Sequence, residues 1–143
     1  MSAQPRVVLP QSHQKTLKRL VAKAFRQKDR LAPFLSAEVR RALFCDDTLL
    51  PDNVVVPGSR VSYRLDWQSA TPIRALVYPE EFHDEGIQIS LLSPVGVALL
   101  GLRPGDAMPV FIPESGIHTL RVTGVERPSV LERREAVLAG APC

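Results

Sequence analysis

Between Ser12 and Arg30 the apolar residues Leu17, Leu20, Val21, Ala24 and Phe25 recur at intervals of three and four. This spacing predicts one stripe of an amphipathic α-helix, with Ser12 placed to cap it. A second helix is predicted from Ser36 to Cys45, with Ser36 as cap and Val39, Ala42 and Leu43 inward. The connection between the two is short, so they should pair as an antiparallel hairpin. Beyond "DDTLLPDNVVVPGSR" the period falls towards two. Strands are expected at 60–67, 73–78, 87–92, 108–112 and 117–126, with turns at "DWQSATP", "PEEFHDEG", "LRPGDA" and "PESG".

The most sharply punctuated stretch is "LLSPVGVALLGLRPGD", residues 91–106. Ser93 can cap a helix whose first position is Pro94, where a missing N–H costs nothing, and Gly101 can end it in the left-handed region. A helix of one or two turns should therefore cross between strands, turning Val95, Ala98, Leu99 and Leu102 onto the sheet. The fold class is α+β: a short N-terminal antiparallel helical hairpin, then a twisted, mostly antiparallel sheet carrying one short helix. The segment "SVLERREAVLAGAPC" reads as a weakly helical tail.

Charge sharpens this division. The 143 residues carry a net charge of +3, but residues 1–50 hold ten Lys/Arg against four Asp/Glu, leaving the remainder acidic. At 100° per residue Lys15, Arg19, Lys23, Arg26 and Arg30 cluster opposite the apolar stripe. That face is either a solvated surface or a contact for nucleic acid or another anionic surface. With 45% hydrophobic and 23% charged residues the composition is that of a water-soluble globular protein of one domain, or one with a small appendage. No apolar run suits a membrane span and "MSAQPRVVLPQSHQK" lacks a signal-peptide core, so a cytoplasmic location is expected. Cys45 and Cys143 have no metal or redox spacing and read as reduced thiols.

Candidate catalytic chemistry is thin. Glu80, Glu81, His83, Asp84 and Glu85 crowd one turn, where a solvated acidic loop competes with a metal site. His13 and His118 have no partner acid or nucleophile in a recognisable motif. No phosphate-binding glycine loop is present. Tyr63, Trp67, Tyr78, Phe82 and Phe111 read as core aromatics, with a prolyl-isomerase pocket as the other possibility. No catalytic residue, metal or cofactor is expected.

Three stretches, "PGSRVSYRLDWQ", "LVYPEEFHDEGIQISLLSPVGVALLGLRPGD" and the closing β-ribbon, resemble in order and spacing the C-terminal domain of the bacterial Gre (GreA/GreB) transcription elongation factors. "SPVGVALLGLRPGD" behind a short hairpin is most similar to the Rnk branch, the regulators of nucleoside diphosphate kinase. The resemblance implies a helical hairpin at 1–50, an FKBP-like domain at 51–128 and a tail at 129–143. It also implies docking on RNA polymerase at the rim of the secondary channel, against the β′ coiled coil, through Leu92, Ser93, Pro94, Val95 and Gly96. Gre factors carry an acidic coiled-coil tip that helps hold a catalytic Mg²⁺, and here the pattern departs. The first helix would span only ~27 Å, and the tip "QKDRLAPFLS" offers Asp29 alone between Lys28 and Arg30. The expectation is a non-enzymatic polymerase-binding regulator. A Gre-like cleavage factor, an isomerase and a basic nucleic-acid-binding module are the alternatives.

Overall fold

The computed structural model describes residues 7–127. Its first long element, α1 (Gln14–Arg26), buries Leu17, Leu20 and Ala24 along the expected stripe. Val21 is half-buried beside them, while Phe25 at the stripe's end is exposed. Ser12 is not the cap. It lies in a single 3₁₀ turn, Gln11–His13, and both its N–H and its hydroxyl donate to the carboxylate of Asp47.

The chain reverses through Gln27–Leu31, with Lys28 at φ 56° and Asp29 accepting the Leu31 N–H at 2.9 Å. The second helix, α2 (Ala32–Arg41), begins four residues earlier than the expected start at Ser36 and ends four before Cys45. Pro33 lies in its first turn, where it displaces no helical hydrogen bond. Ala42 then turns extended, and Leu43–Cys45 forms β2, a strand in place of the expected last helical turn. Its partner is β1 (Val8–Pro10), which pairs with it in parallel, Val8 opposite Leu43 and Pro10 opposite Cys45. The Leu43 N–H reaches the Val7 carbonyl at 2.9 Å, extending the ladder by one residue.

Five further strands form one curled sheet: β3 (Arg60–Leu65), β4 (Ile73–Val77), β5 (Gln88–Ser90), β6 (Ala107–Ile112) and β7 (Gly116–Glu126). Their order across the sheet is β5-β4-β3-β7-β6, antiparallel except where β4 and β5 run parallel. Alternation sets the buried face: Val61, Tyr63 and Leu65 of β3, Leu120 and Val122 of β7, and Met108 and Val110 of β6 point inward. A bulge between Ser62 and Tyr63 shifts the β3–β7 register by one residue. The short helix α3 (Pro94–Leu99) packs on this sheet through Val97, Ala98 and Leu99.

The core is continuous. Leu17, Leu20, Leu35 and Val39 of the helical hairpin belong to the same buried cluster as Leu99, Leu120 and Val122 of α3 and the sheet. A smaller cluster of Leu50, Val54 and Val56 packs under β1 and β2. Arg127 closes β7 by donating to the Pro51 carbonyl at 2.7 Å.

Only two of the five strand-region aromatics fill the core. Tyr63 and Tyr78 are buried, but Trp67, Phe82 and Phe111 are 58%, 40% and 60% exposed. Trp67 and Phe82 fall in the loops after β3 and β4, and Phe111 faces outward from β6 opposite Ile117. The expected tail at 129–143, and with it Cys143, lies outside the described residues. Among the described residues no helix is long and apolar enough to cross a membrane.

A candidate docking corner

The corner at Ser93 follows from three local requirements. Ser93 is extended (φ −143°, ψ 159°), so its hydroxyl faces the first turn of α3 and accepts the Gly96 N–H at 3.0 Å. The same hydroxyl donates to the Ser90 carbonyl at 2.7 Å, stitching the helix start to the end of β5. Pro94 occupies the first helical position as expected. Gly96 permits the close approach: a Cβ there would lie 1.9 Å from the Ser90 carbonyl oxygen.

Gly101 performs the matching task at the far end. At φ 84° it takes the left-handed conformation, and a Cβ would come within 2.4 Å of the Val7 side chain. Its N–H donates to the Val55 carbonyl, and the Val55 N–H returns to Leu102, both at 2.8 Å. Leu92, Ser93, Pro94 and Val95 are left partly exposed on a rigid ridge. Gly96, grouped with them from the sequence, is buried and shapes the ridge from beneath.

The hairpin face has a different character. Lys15, Arg19, Lys23 and Arg26 are exposed on α1. Arg30, expected on the same helix face, falls in the turn because α1 ends at Arg26, and it too is exposed. None of the five is in an ion pair among the described residues. The one carboxylate at the tip, Asp29, is occupied in bracing the turn through its bond to Leu31. The tip thus carries cations around a single engaged acid. Glu38, the only other acid between residues 14 and 41, is buried on α2 and accepts from Arg41 at 2.9 Å. Burial raises its pKa, and the charge and hydrogen bond of Arg41 oppose that rise.

The acidic turn spends its polar groups on itself. Asp84 accepts the Gly86 N–H at 2.9 Å, Glu81 accepts the Tyr78 N–H at 3.2 Å, and the His83 ring donates to the Glu81 carbonyl at 3.1 Å. Among the described residues no three His, Cys, Asp or Glu side chains converge as metal ligands.

Both histidines without a sequence motif do have partners. The carboxylate of Asp66 accepts from His118 Nδ1 at 3.0 Å, which leaves Nε2 to accept the Ser115 hydroxyl at 2.7 Å. Asp66 also takes the Thr119 N–H at 3.0 Å, and these bonds hold its pKa below the usual carboxylate value. The order Ser–His–Asp is that of a catalytic triad, but Ser115 sits exposed in the β6–β7 turn and the Asp66 side chain is 50% exposed. Chemically it is a latch between the β6–β7 hairpin and the end of β3. His13, for its part, shares a hydrogen bond of 2.8 Å between its Nδ1 and the Tyr78 hydroxyl, with the rings stacked at 5.9 Å. Burial lowers the His13 pKa against the opposing charges of Asp47 and Glu81, and burial with Glu81 and Glu80 raises that of Tyr78. Partners 52 and 65 residues apart left no local signal.

The strand, Ser-Pro corner, short helix and final hairpin all fall within residues 50–127, which match the family model for the C-terminal domain of the transcription elongation factors GreA and GreB. The chain belongs to the GreA/GreB family. Within it, the Escherichia coli K12 protein named regulator of nucleoside diphosphate kinase is 38% identical over 96 residues, 67% of this chain and 71% of that one. A GreA factor of Clostridium beijerinckii is 29% identical over 90 residues, and there the match covers 62% of this chain and only 55% of that protein. Among solved structures, a GreA/GreB factor from Nitrosomonas europaea superposes with a TM-score of 0.70 at 30% identity, over 85% of this chain and 99% of that one. The GreA/GreB likeness therefore extends through the short hairpin as well as the sheet.

Proposed function

We propose that this chain is a transcription regulator that binds RNA polymerase at the rim of the secondary channel, against the β′ coiled coil, and stimulates no transcript cleavage. The ridge Leu92–Val95 is the docking element, and the helical hairpin stands at the channel mouth. Family membership supports the partner. The observation that carries the site is the corner's rigidity: Ser93 is tied on both sides, Pro94 fixes the backbone and buried Gly96 locks the crossing. A preformed ridge loses little conformational entropy on binding. We also read the sheet curled over α3 as FKBP-like, a dock at 51–128 distinct in role from the hairpin at 1–50, working in the cytoplasm.

The absence of cleavage activity rests on the hairpin. The 13 residues of α1 rise only ~20 Å, and the tip offers Asp29, already engaged, where a hard cation needs several converging carboxylate oxygens. By mass action such a protein competes with longer relatives for one site.

A pulldown with core RNA polymerase, wild type against Pro94→Asp, tests the dock. Asp is well accepted in the first turn of a helix, so the variant should fold while placing a charge on the ridge. Binding should fall at least tenfold, on the order expected for a charge buried at an interface centre. Retention of full binding by the folded variant removes the dock, and release of cleaved RNA from stalled complexes removes the non-enzymatic reading. A second reading, favoured by the exposed cations Lys15, Arg19, Lys23, Arg26 and Arg30, is that the hairpin face also contacts nucleic-acid phosphates.

A further inference from the structure

At the base of the helical hairpin, away from its tip, α1, α2 and β2 border an open cavity of about 450 Å³. Its walls are of two kinds. Val39 and the half-buried ring of Phe44 form an apolar part, while Lys18 from α1 and Arg40 from α2 bring one cation from each helix, with Gln14 and Ser36 as neutral hydrogen-bonding groups. No acid lines it. The nearest acid in sequence, Glu38, is buried and engaged with Arg41.

We propose that this cavity is a binding site for an aromatic phosphate monoester. The volume lies in the range of small-molecule sites, and an apolar surface with a few convergent polar groups is their usual construction. Two cations on separate helices match a phosphate monoester, whose charge near pH 7 is about −1.5 to −2. Arg40 supplies the planar donor fork and Lys18 the point charge. The apolar wall accommodates the ring. The surrounding helices amplify the preference, since residues 14–41 carry nine Lys/Arg against Asp29 and Glu38. Nucleoside monophosphates and simple aryl phosphates share this chemistry. None of its residues belongs to the ridge, so ligand binding is measured without polymerase.

The test uses ¹⁵N-labelled full-length protein titrated separately with adenosine 5′-monophosphate, phenyl phosphate, inorganic phosphate and adenosine. Either aromatic phosphate should shift the amides of Lys18, Ser36, Val39 and Arg40 saturably, at least about tenfold more tightly than inorganic phosphate or adenosine alone. The tighter of the two identifies the ligand's source. Arg40→Glu should weaken that binding about tenfold or more, while Arg26→Glu, nearer the tip, changes it less than about twofold. Should Arg40→Glu lose its dispersed spectrum, Arg40→Gln with Lys18→Gln makes the same comparison. The site is refuted by unshifted amides, by shifts confined to residues 26–31, by inorganic phosphate binding as tightly as the esters, or by equal effects of Arg26→Glu and the cavity variants.

Discussion

Ser93 and Gly96 hold one corner by opposite means, the first through what its side chain bonds and the second through having none. Ser93→Ala removes a cap and leaves the Ser90 carbonyl without its donor, which costs about 1 kcal/mol. Gly96→Ala is harsher, because the new methyl meets backbone at 1.9 Å, where no rotamer change relieves the contact. Urea unfolding should show a loss of about 2 kcal/mol or more, and a loss under about 0.5 kcal/mol contradicts the close approach. His13 supplies the pH dependence at this scale. Its folded pKa lies below the ordinary imidazole value of 6.5 chiefly through burial, so the unfolded chain binds its proton first. The stability it contributes is complete above pH 6.5 and is lost as pH falls from there through the folded pKa. His13→Gln should flatten that part of a stability–pH curve, and an unchanged slope below pH 6.5 excludes His13 as its source. Ser93, Pro94 and Gly101 mark the ends of α3 locally, whereas Ser12 and Ser36, which carry the same signal, cap no helix. The sequence pattern does not expose His13–Tyr78 or Asp66–His118–Ser115, because bonds across the fold leave no spacing to read.

The elements divide along the same line. α1 is legible because thirteen residues sustain a helical period that only a helix can bury. α2 is displaced by four residues because Pro33 is tolerated in a first turn, and Ser36, which reads as a cap, lies inside the helix. β1 and β2 are invisible since three residues carry no period, and their parallel pairing joins segments 35 residues apart. The contribution of that ladder can be isolated at Leu43. Its side chain is 56% exposed, and the preceding Ala42, at φ −69° and ψ 140°, already has the conformation a following proline demands. Leu43→Pro removes the N–H that bonds Val7 and fixes the residue's own φ at about −65°. A loss of about 1–2 kcal/mol is expected, against less than about 0.5 kcal/mol for Leu43→Ala. Equal stabilities for the two variants would falsify a role for β1–β2 pairing in holding the hairpin.

Across the whole molecule, hydropathy and charge tell different stories. Charge separates a basic first third from an acidic remainder, which is visible in the sequence alone. Hydrophobic packing joins them, because the stripes of α1 and α2 enter the same cluster as α3 and the sheet, and Gly101 seats directly against Val7. The hairpin is thus a fixed projection of the sheet's core, and its cations are held at a set distance from the Ser93 ridge. That geometry makes the two candidate surfaces separable by salt. Contact through Leu92, Pro94 and Val95 buries mostly apolar area and responds weakly to ionic strength, whereas neutralising several phosphates or carboxylates releases counterions and responds steeply. If the ridge is the dock, polymerase affinity should fall less than about tenfold between 50 and 200 mM salt, compared with ~10³-fold or more for six or more phosphate contacts. Reversing Arg19, Lys23 and Arg26 together to Glu should then shift the affinity by no more than about threefold, while Pro94→Asp abolishes most of it. A steep salt slope that disappears in the charge-reversed protein transfers the binding to the hairpin and leaves the corner a structural joint.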